Sequence, residues 1–216
     1  NLQHPADADD RWPWKLKLYT LRPFEVRIDE EPLDYDGKAR TRPLALLKLL
    51  AAQSGGPIAI TRVTDWLWPD QDPAQARGSF DVTASRLRGM LRHKEALAIG
   101  EGKVALDAHL VWVDTRAFVE TARRCSDPLQ TAAKRSQSVL FHRLTDLYRQ
   151  PFLQLDEEEP WTVEARTRYA ALLNTAIEAL ARAAEADGQR DEAAWMRERA
   201  SVAQSPEARL RLIVNR

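Results

Sequence analysis

Five cations fall between positions 77 and 94: Arg77, Arg86, Arg88, Arg92 and Lys94, with Asp81 the one acid from Gly78 to Lys94. A guanidinium presents its donors in a planar fork that matches phosphate oxygens and the O6/N7 edge of guanine. Read as a helix with Phe80 at the centre of its buried face, at about 100° per residue, the stretch sorts itself. Gly78, Ser79, Val82, Ser85, Arg86 and Gly89 face away from the core, with Thr83 and Arg88 on the flanks. Arg86 would donate twice to a guanine, and Val82 would pack on a thymine methyl. Arg77, Arg88 and Arg92 suit phosphates, which position a protein without specifying sequence. Small residues at Gly78, Ser79 and Gly89 let the helix lie close to a duplex. Lys103, at a tip flanked by glycine, can reach a phosphate beside the groove. The candidate DNA contacts are therefore Arg77, Ser79, Val82, Thr83, Ser85, Arg86, Arg88, Arg92 and Lys103. The competing reading is a solvated basic face on an ordinary helix; the neighbouring hairpin weighs against it.

No other group of residues competes as chemistry. His4, His93, His109 and His142 are scattered without metal-ligand spacing. The acids Asp156 to Glu159 stand just before a helix start, where carboxylates meet its positive end. There is no phosphate loop, no Ser-His-Asp set and no context that would activate Cys125. The expectation is a protein that is not an enzyme, with no cofactor and no metal. A lone cysteine forms no internal disulfide and fits a reducing cytoplasm.

The elements that must hold this face follow from periodicity. The chain has 216 residues, 44% hydrophobic and 30% charged, with 32 basic against 32 acidic residues. That composition suits a globular protein of one large domain or two small ones. The neutral sum favours no polyanion; the local clustering does. No run of 18 apolar residues occurs, so no membrane span is expected. Residues 1–14 read as a linker or disordered lead-in, although Trp12 and Trp14 could pack on the sheet. Lacking an initiator Met, the chain reads as a fragment of something longer. Lys15 to Tyr19 and Phe24 to Ile28 alternate as half-buried strands, and Leu33-Asp34-Tyr35 comes after an acidic turn at Asp29 to Pro32. A helix is expected over Arg42 to Gln53. A second has Thr61 as its N-cap and Val63, Trp66 and Leu67 inward. A third runs from Pro73 or Ala74 to Arg92, with Phe80, Ala84, Leu87 and Leu91 as its buried stripe. Leu97 to Leu106 reads as a hairpin around Gly100-Glu101-Gly102, with a strand after it at Leu110 to Val113. Asp114 to Arg124 starts a helix, and from Asp127 the pattern is helical throughout: Leu140, Leu144 and Leu147 mark one face. A long helix spans Pro160 to Asp187, ended by Gly188. Two more helices are expected, one at Asp191 to Val202 and one from Pro206. Trp66, Trp112, Trp161 and Trp195 are expected in cores.

These residues resemble a family. Phe24-Glu25-Val26-Arg27, Pro43 to Leu50, Leu67-Trp68-Pro69-Asp70 with Ala76-Arg77, and Val82-Thr83-Ala84-Ser85-Arg86-Leu87-Arg88 are similar to the OmpR/PhoB-type winged-helix effector domain of SARP-type (AfsR/DnrI-like) bacterial regulators. Pro69 stands where such regulators often carry Gly. The resemblance implies an N-terminal four-stranded sheet, a recognition helix at Pro73 to Arg92 and a wing at Leu97 to Val113. Leu147 to Leu153, Glu159-Pro160-Trp161 and Arg166 resemble the bacterial transcriptional activation domain that comes next in those regulators. Gly188, Glu192-Ala193, Ala200 and Pro206 resemble a tetratricopeptide repeat.

The expected architecture is an α+β winged helix-turn-helix, with a small N-terminal antiparallel sheet, three helices and a C-terminal wing, followed by an all-α tetratricopeptide-like domain. The expected bounds are 15–118 for the DNA-binding domain and 119–216 for the helical one. The expected function is sequence-specific binding of double-stranded DNA by a cytoplasmic transcription activator. The resemblance implies RNA polymerase as a partner, and a homodimer is a further expectation. The alternative is a protein-interaction module whose winged helix binds no DNA.

Overall fold

The structure, a computed structural model, describes residues 9–34 and 41–204. Its described residues form two compact units. The first takes in 9–20, 24–34, 41–116 and 157–163; the second takes in 21–23, 117–156 and 164–204.

In the first unit, β1 (Leu16–Tyr19), β2 (Glu25–Ile28) and β3 (Glu31–Pro32) form a meander. It is completed by β7 (Val111–Val113) in the order β3-β2-β1-β7. The sheet is mixed, because β7 runs parallel to β1, with Leu16 opposite Val111 and Leu18 opposite Val113. The resemblance places the Leu110 to Val113 strand at the end of the wing; in the structure its residues Val111–Val113 leave the wing and supply the fourth strand of the first sheet. The third strand also differs from expectation. Asp29 and Glu30 alone make the turn, both at positive φ, and Ile28 pairs directly with Glu31. Leu33 keeps one rung by donating its N–H to the Val26 carbonyl at 2.8 Å. Tyr35 lies outside the described residues, as do residues 1–8 of the expected lead-in. From Asp9 the lead-in is folded. Trp14 is buried, and its indole N–H donates to the Asp9 carbonyl at 2.9 Å.

Helices α1 (Thr41–Ala52), α2 (Ile60–Leu67) and α3 (Pro73–Leu91) pack on one another. Leu46, Leu49 and Leu50 of α1, Val63 of α2, and Phe80 and Leu87 of α3 are wholly buried. The expected Thr61 cap is not used: Ala59 is the N-cap, without a side-chain bond, and Thr61 is exposed inside α2. The cause is β4 (Ile58–Ala59), which pairs with Val104 and Lys103 and holds the chain extended up to Ile60, whose N–H donates to the Gly102 carbonyl. The strands β5 (Leu97–Gly100) and β6 (Lys103–Leu106) complete a second sheet in the order β4-β6-β5. Just past β1, Thr20 donates its hydroxyl to Asp114 at 2.7 Å, a buried bond joining residues 94 positions apart.

The second unit is helical: most of α4 (Asp114–Cys125), then α5 (Pro128–Thr131), α6 (Lys134–Leu147), most of α7 (Pro160–Ala186) and α8 (Arg190–Gln204). Gly188, at φ +78, turns α7 into α8. Its N–H reaches the Glu185 carbonyl while that of Gln189 reaches Ala184, the pair of bonds of a Schellman ending. Buried Ala181, Ala184 and Ala193 supply small contacts for this helical hairpin. The Arg166 guanidinium donates to the carbonyls of Phe152, Leu153 and Asp156, fixing the segment before α7. Trp195, expected in the core, is partly exposed on α8, with its ring centroid 4.9 Å from that of Phe141. The helix expected from Pro206 lies outside the described residues. No helix among them is long and apolar enough to cross a membrane.

Candidate nucleic-acid interface

Helix α3 starts sharply. Pro73 occupies its first turn, and the Asp72 carboxylate accepts the N–H groups of Ala74 and Gln75, each at 3.0 Å. It stops at Arg92, whose φ of 59° is left-handed. Ala76, Phe80, Thr83, Ala84, Leu87 and Leu91 form its buried face. The opposite face carries Arg77, Gly78, Val82, Ser85, Arg86 and Gly89, all exposed. Val82 is 53% exposed on this face.

The proposed contact residues do not all stand together. Arg86 and Arg92 are exposed on α3, and neither forms an ion pair or side-chain hydrogen bond among the described residues. Ser85 is exposed beside Arg86. Arg77 is exposed but tied to Asp81 one turn on, at 3.2 Å. Ser79 is half-buried, with its hydroxyl donating to Gln71 at 2.8 Å. Two residues depart from expectation. Thr83 is only 6% exposed: lying three residues from Phe80, it falls on the same side of the helix and joins the apolar stripe. Arg88 turns from the open face. Its Nη2 donates to the Leu97 carbonyl at 2.9 Å, and its Nε is buried without a partner. It ties α3 to β5 and is not presented as a free phosphate ligand.

The hairpin beside α3 is a two-residue turn. Gly100 pairs with Lys103, and Glu101 and Gly102 between them have φ of 50° and 71°. Positive φ at both central positions gives the twist that joins antiparallel strands tightly, and glycine suits the second. Lys103 is exposed at the foot of this turn and forms no ion pair among the described residues. Lys94, in the 3₁₀ turn Lys94–Ala96 that leads into β5, is exposed there. The cluster in sequence includes it, yet helical spacing alone gave it no role. The wing comprises β5 and β6 with β4 behind, and does not extend to Val113.

Neither glycine of α3 is there for packing. A Cβ at Gly78 or Gly89 would meet nothing within 4 Å. Each costs about 1 kcal/mol relative to alanine in a helix interior, so the helix forgoes stability at two points of its open face. Elsewhere, Cys125 is buried and its thiol is pushed up to about 12 by desolvation, which leaves no nucleophile there. Among the described residues no three His, Cys, Asp or Glu side chains could hold a metal ion.

No protein-family model and no curated protein matches this chain. Among solved structures it is similar to "Mycobacterium tuberculosis EmbR in complex with low affinity phosphopeptide", with a TM-score of 0.54 and 17% identity over 91% of this chain and 63% of that one. The chain thus spans less than two thirds of that structure's length. The shared feature is the fold, a winged helix followed by a helical domain.

Proposed function

We propose that this protein is a transcription regulator of the SARP type that binds double-stranded DNA in a sequence-specific way. Helix α3 enters the major groove and the β5–β6 wing rests on the adjoining backbone. In this reading residues 15–118 are the DNA-binding domain and 119–216 the activation domain, with α7 and α8 as a tetratricopeptide-like pair. Arg86 reads a base edge, with Val82 and Ser85 beside it; Arg77, Arg92 and Lys103 hold phosphates; Ser79 lines the approach. RNA polymerase and a second copy of the chain are the partners the family resemblance implies, and activation in the cytoplasm is the role.

One observation carries the reading. Among the described residues Arg86 is unpaired and shares a helix face with exposed Val82 and with Gly78 and Gly89, where a Cβ would meet nothing within 4 Å, next to a wing whose lysine is also unpaired. A groove roughly 12 Å wide admits a helix only where its side chains are short or make contacts. Selection of bound duplexes from a random pool tests it. The expected result is a single enriched motif whose affinity falls steeply with added salt. Recovery of no motif, with no duplex binding at low salt, refutes it. A second reading, a protein-interaction module, draws on the exposed Val139 and Trp195 of the helical unit; it predicts that same failure to enrich a motif.

A further inference from the structure

We infer that Arg116 is a positioning residue for the wing: its guanidinium fixes the base of the β5–β6 hairpin and so sets where Lys103 stands. Arg116 lies in the first turn of α4, directly after β7, and is half-buried. Its Nε donates to the Ser54 carbonyl at 3.1 Å, its Nη1 to Val111 at 3.0 Å and its Nη2 to Leu106 at 3.4 Å. These three acceptors belong to three segments: the turn after α1, the strand β7, and the last residue of β6. The amide of Leu106 also donates to the Gly55 carbonyl at 3.0 Å, so the end of the wing hangs from the α1 turn by two routes.

The fold makes room for this group at a cost. Gly55 has a φ of +72°, and a Cβ there would come within 2.4 Å of Arg116 Nη2. Only glycine meets both conditions. No carboxylate forms an ion pair with Arg116 among the described residues, and burial pulls its pKa below the ordinary arginine value, with Asp107 acting the other way. A half-buried cation held by backbone carbonyls alone is an expensive way to close a core. A planar fork that joins three directions at once is what an aliphatic side chain, or the single point charge of lysine, cannot supply. The consequence for duplex binding rests on the function proposed above.

The test uses the whole chain with Arg116→Lys and, by an independent route, Gly55→Ala, which leaves the arginine but displaces it. Amide exchange is read first, without DNA. Ala98 and Ala105 should exchange about tenfold faster in both variants, while Phe80 and Ala84 on α3 keep their protection. The second reading is a double-mutant cycle on the selected duplex. Lys103→Ala should lower affinity in the parent and change it by less than about twofold in the Arg116→Lys background, whereas Arg86→Ala should cost the same in both. Unchanged exchange at Ala98 and Ala105, or an equal Lys103→Ala loss in both backgrounds, overturns the inference. Duplex binding absent even in the parent refutes the DNA reading alone, since the exchange measurement still decides the role of Arg116.

Discussion

Arg88 donates to the carbonyl of Leu97 at 2.9 Å, joining the exposed helix α3 to the first strand of the wing. The bond spans nine residues and closes the 3₁₀ turn at Lys94–Ala96. Arg88→Ala removes a charged donor from a half-buried acceptor. The expected loss is about 1–2 kcal/mol of stability, read by denaturant unfolding. A variant as stable as the parent would return Arg88 to the solvated face.

Arg86 and Thr83 should separate cleanly. Arg86→Ala should cost about 1–3 kcal/mol on the selected duplex and leave stability within about 0.5 kcal/mol. Thr83→Val, on the buried side, should leave duplex affinity unchanged. Equal effects of the two on binding would mean that the helix presents a different face.

The two glycines of α3 predict opposed effects. Gly78→Ala and Gly89→Ala each add a Cβ into open space and should raise stability by up to about 1 kcal/mol, seen as a higher Tm. The same methyl groups stand on the face proposed to approach DNA, so affinity for the selected duplex should fall. A gain in both stability and affinity would show that the glycines serve no approach.

Arg197 bridges Glu178 and Glu185, at 2.9 and 2.6 Å. Arg197 and Arg182 hold the Glu178 carboxyl down at about 2. A depressed carboxylate contributes stability that is fully present above its unfolded value, near 4.5, and is lost as pH falls toward 2. The pair is well solvated, so its contribution is small and screened by salt. Thermal unfolding measured from pH 5 to 2 should show a decline that is shallower in Glu178→Gln. Parallel profiles would mean that the bridge does not couple α7 to α8.

Cys125 should resist alkylation by iodoacetamide at pH 8 in the folded protein, because its thiol is buried and raised to about 12. Labelling, read by mass spectrometry, should appear only with unfolding. Rapid labelling of the native chain would place the thiol at the surface.

What the sequence makes legible here is what is periodic. Phe80, Ala84, Leu87 and Leu91 announce α3 at helical spacing, and all four are buried. Gly100-Glu101-Gly102 announces a tight turn because few other residues accept positive φ. Helix α7 is foretold by its long apolar face, and its end by Gly188. What stays hidden is set by partners far along the chain. Nothing local to Val111–Val113 says that it pairs with β1 and not with the hairpin before it. Thr61 looks like a cap until β4 claims the residues ahead of it. The direction of Arg88 depends on where the Leu97 carbonyl stands, and Arg116 has no motif at all. Its role exists only where three carbonyls meet. Of the site itself, the open arginine face was readable, but the division between residues that face outward and residues that hold the wing was not.

The parallel pairing of β1 with β7 bears on how the chain is born. Leu18 leaves the ribosome 95 residues before Val113, its partner. At roughly 5–20 residues per second, β1 waits about 5–20 s for the strand that completes its sheet. During that interval α1, α2 and α3 can already close on each other through short-range contacts, while the edge of β1 stays open to any extended neighbour. Nascent chains halted before Val111 should therefore be the ones that engage chaperones and aggregate, and release of three more residues should end that exposure.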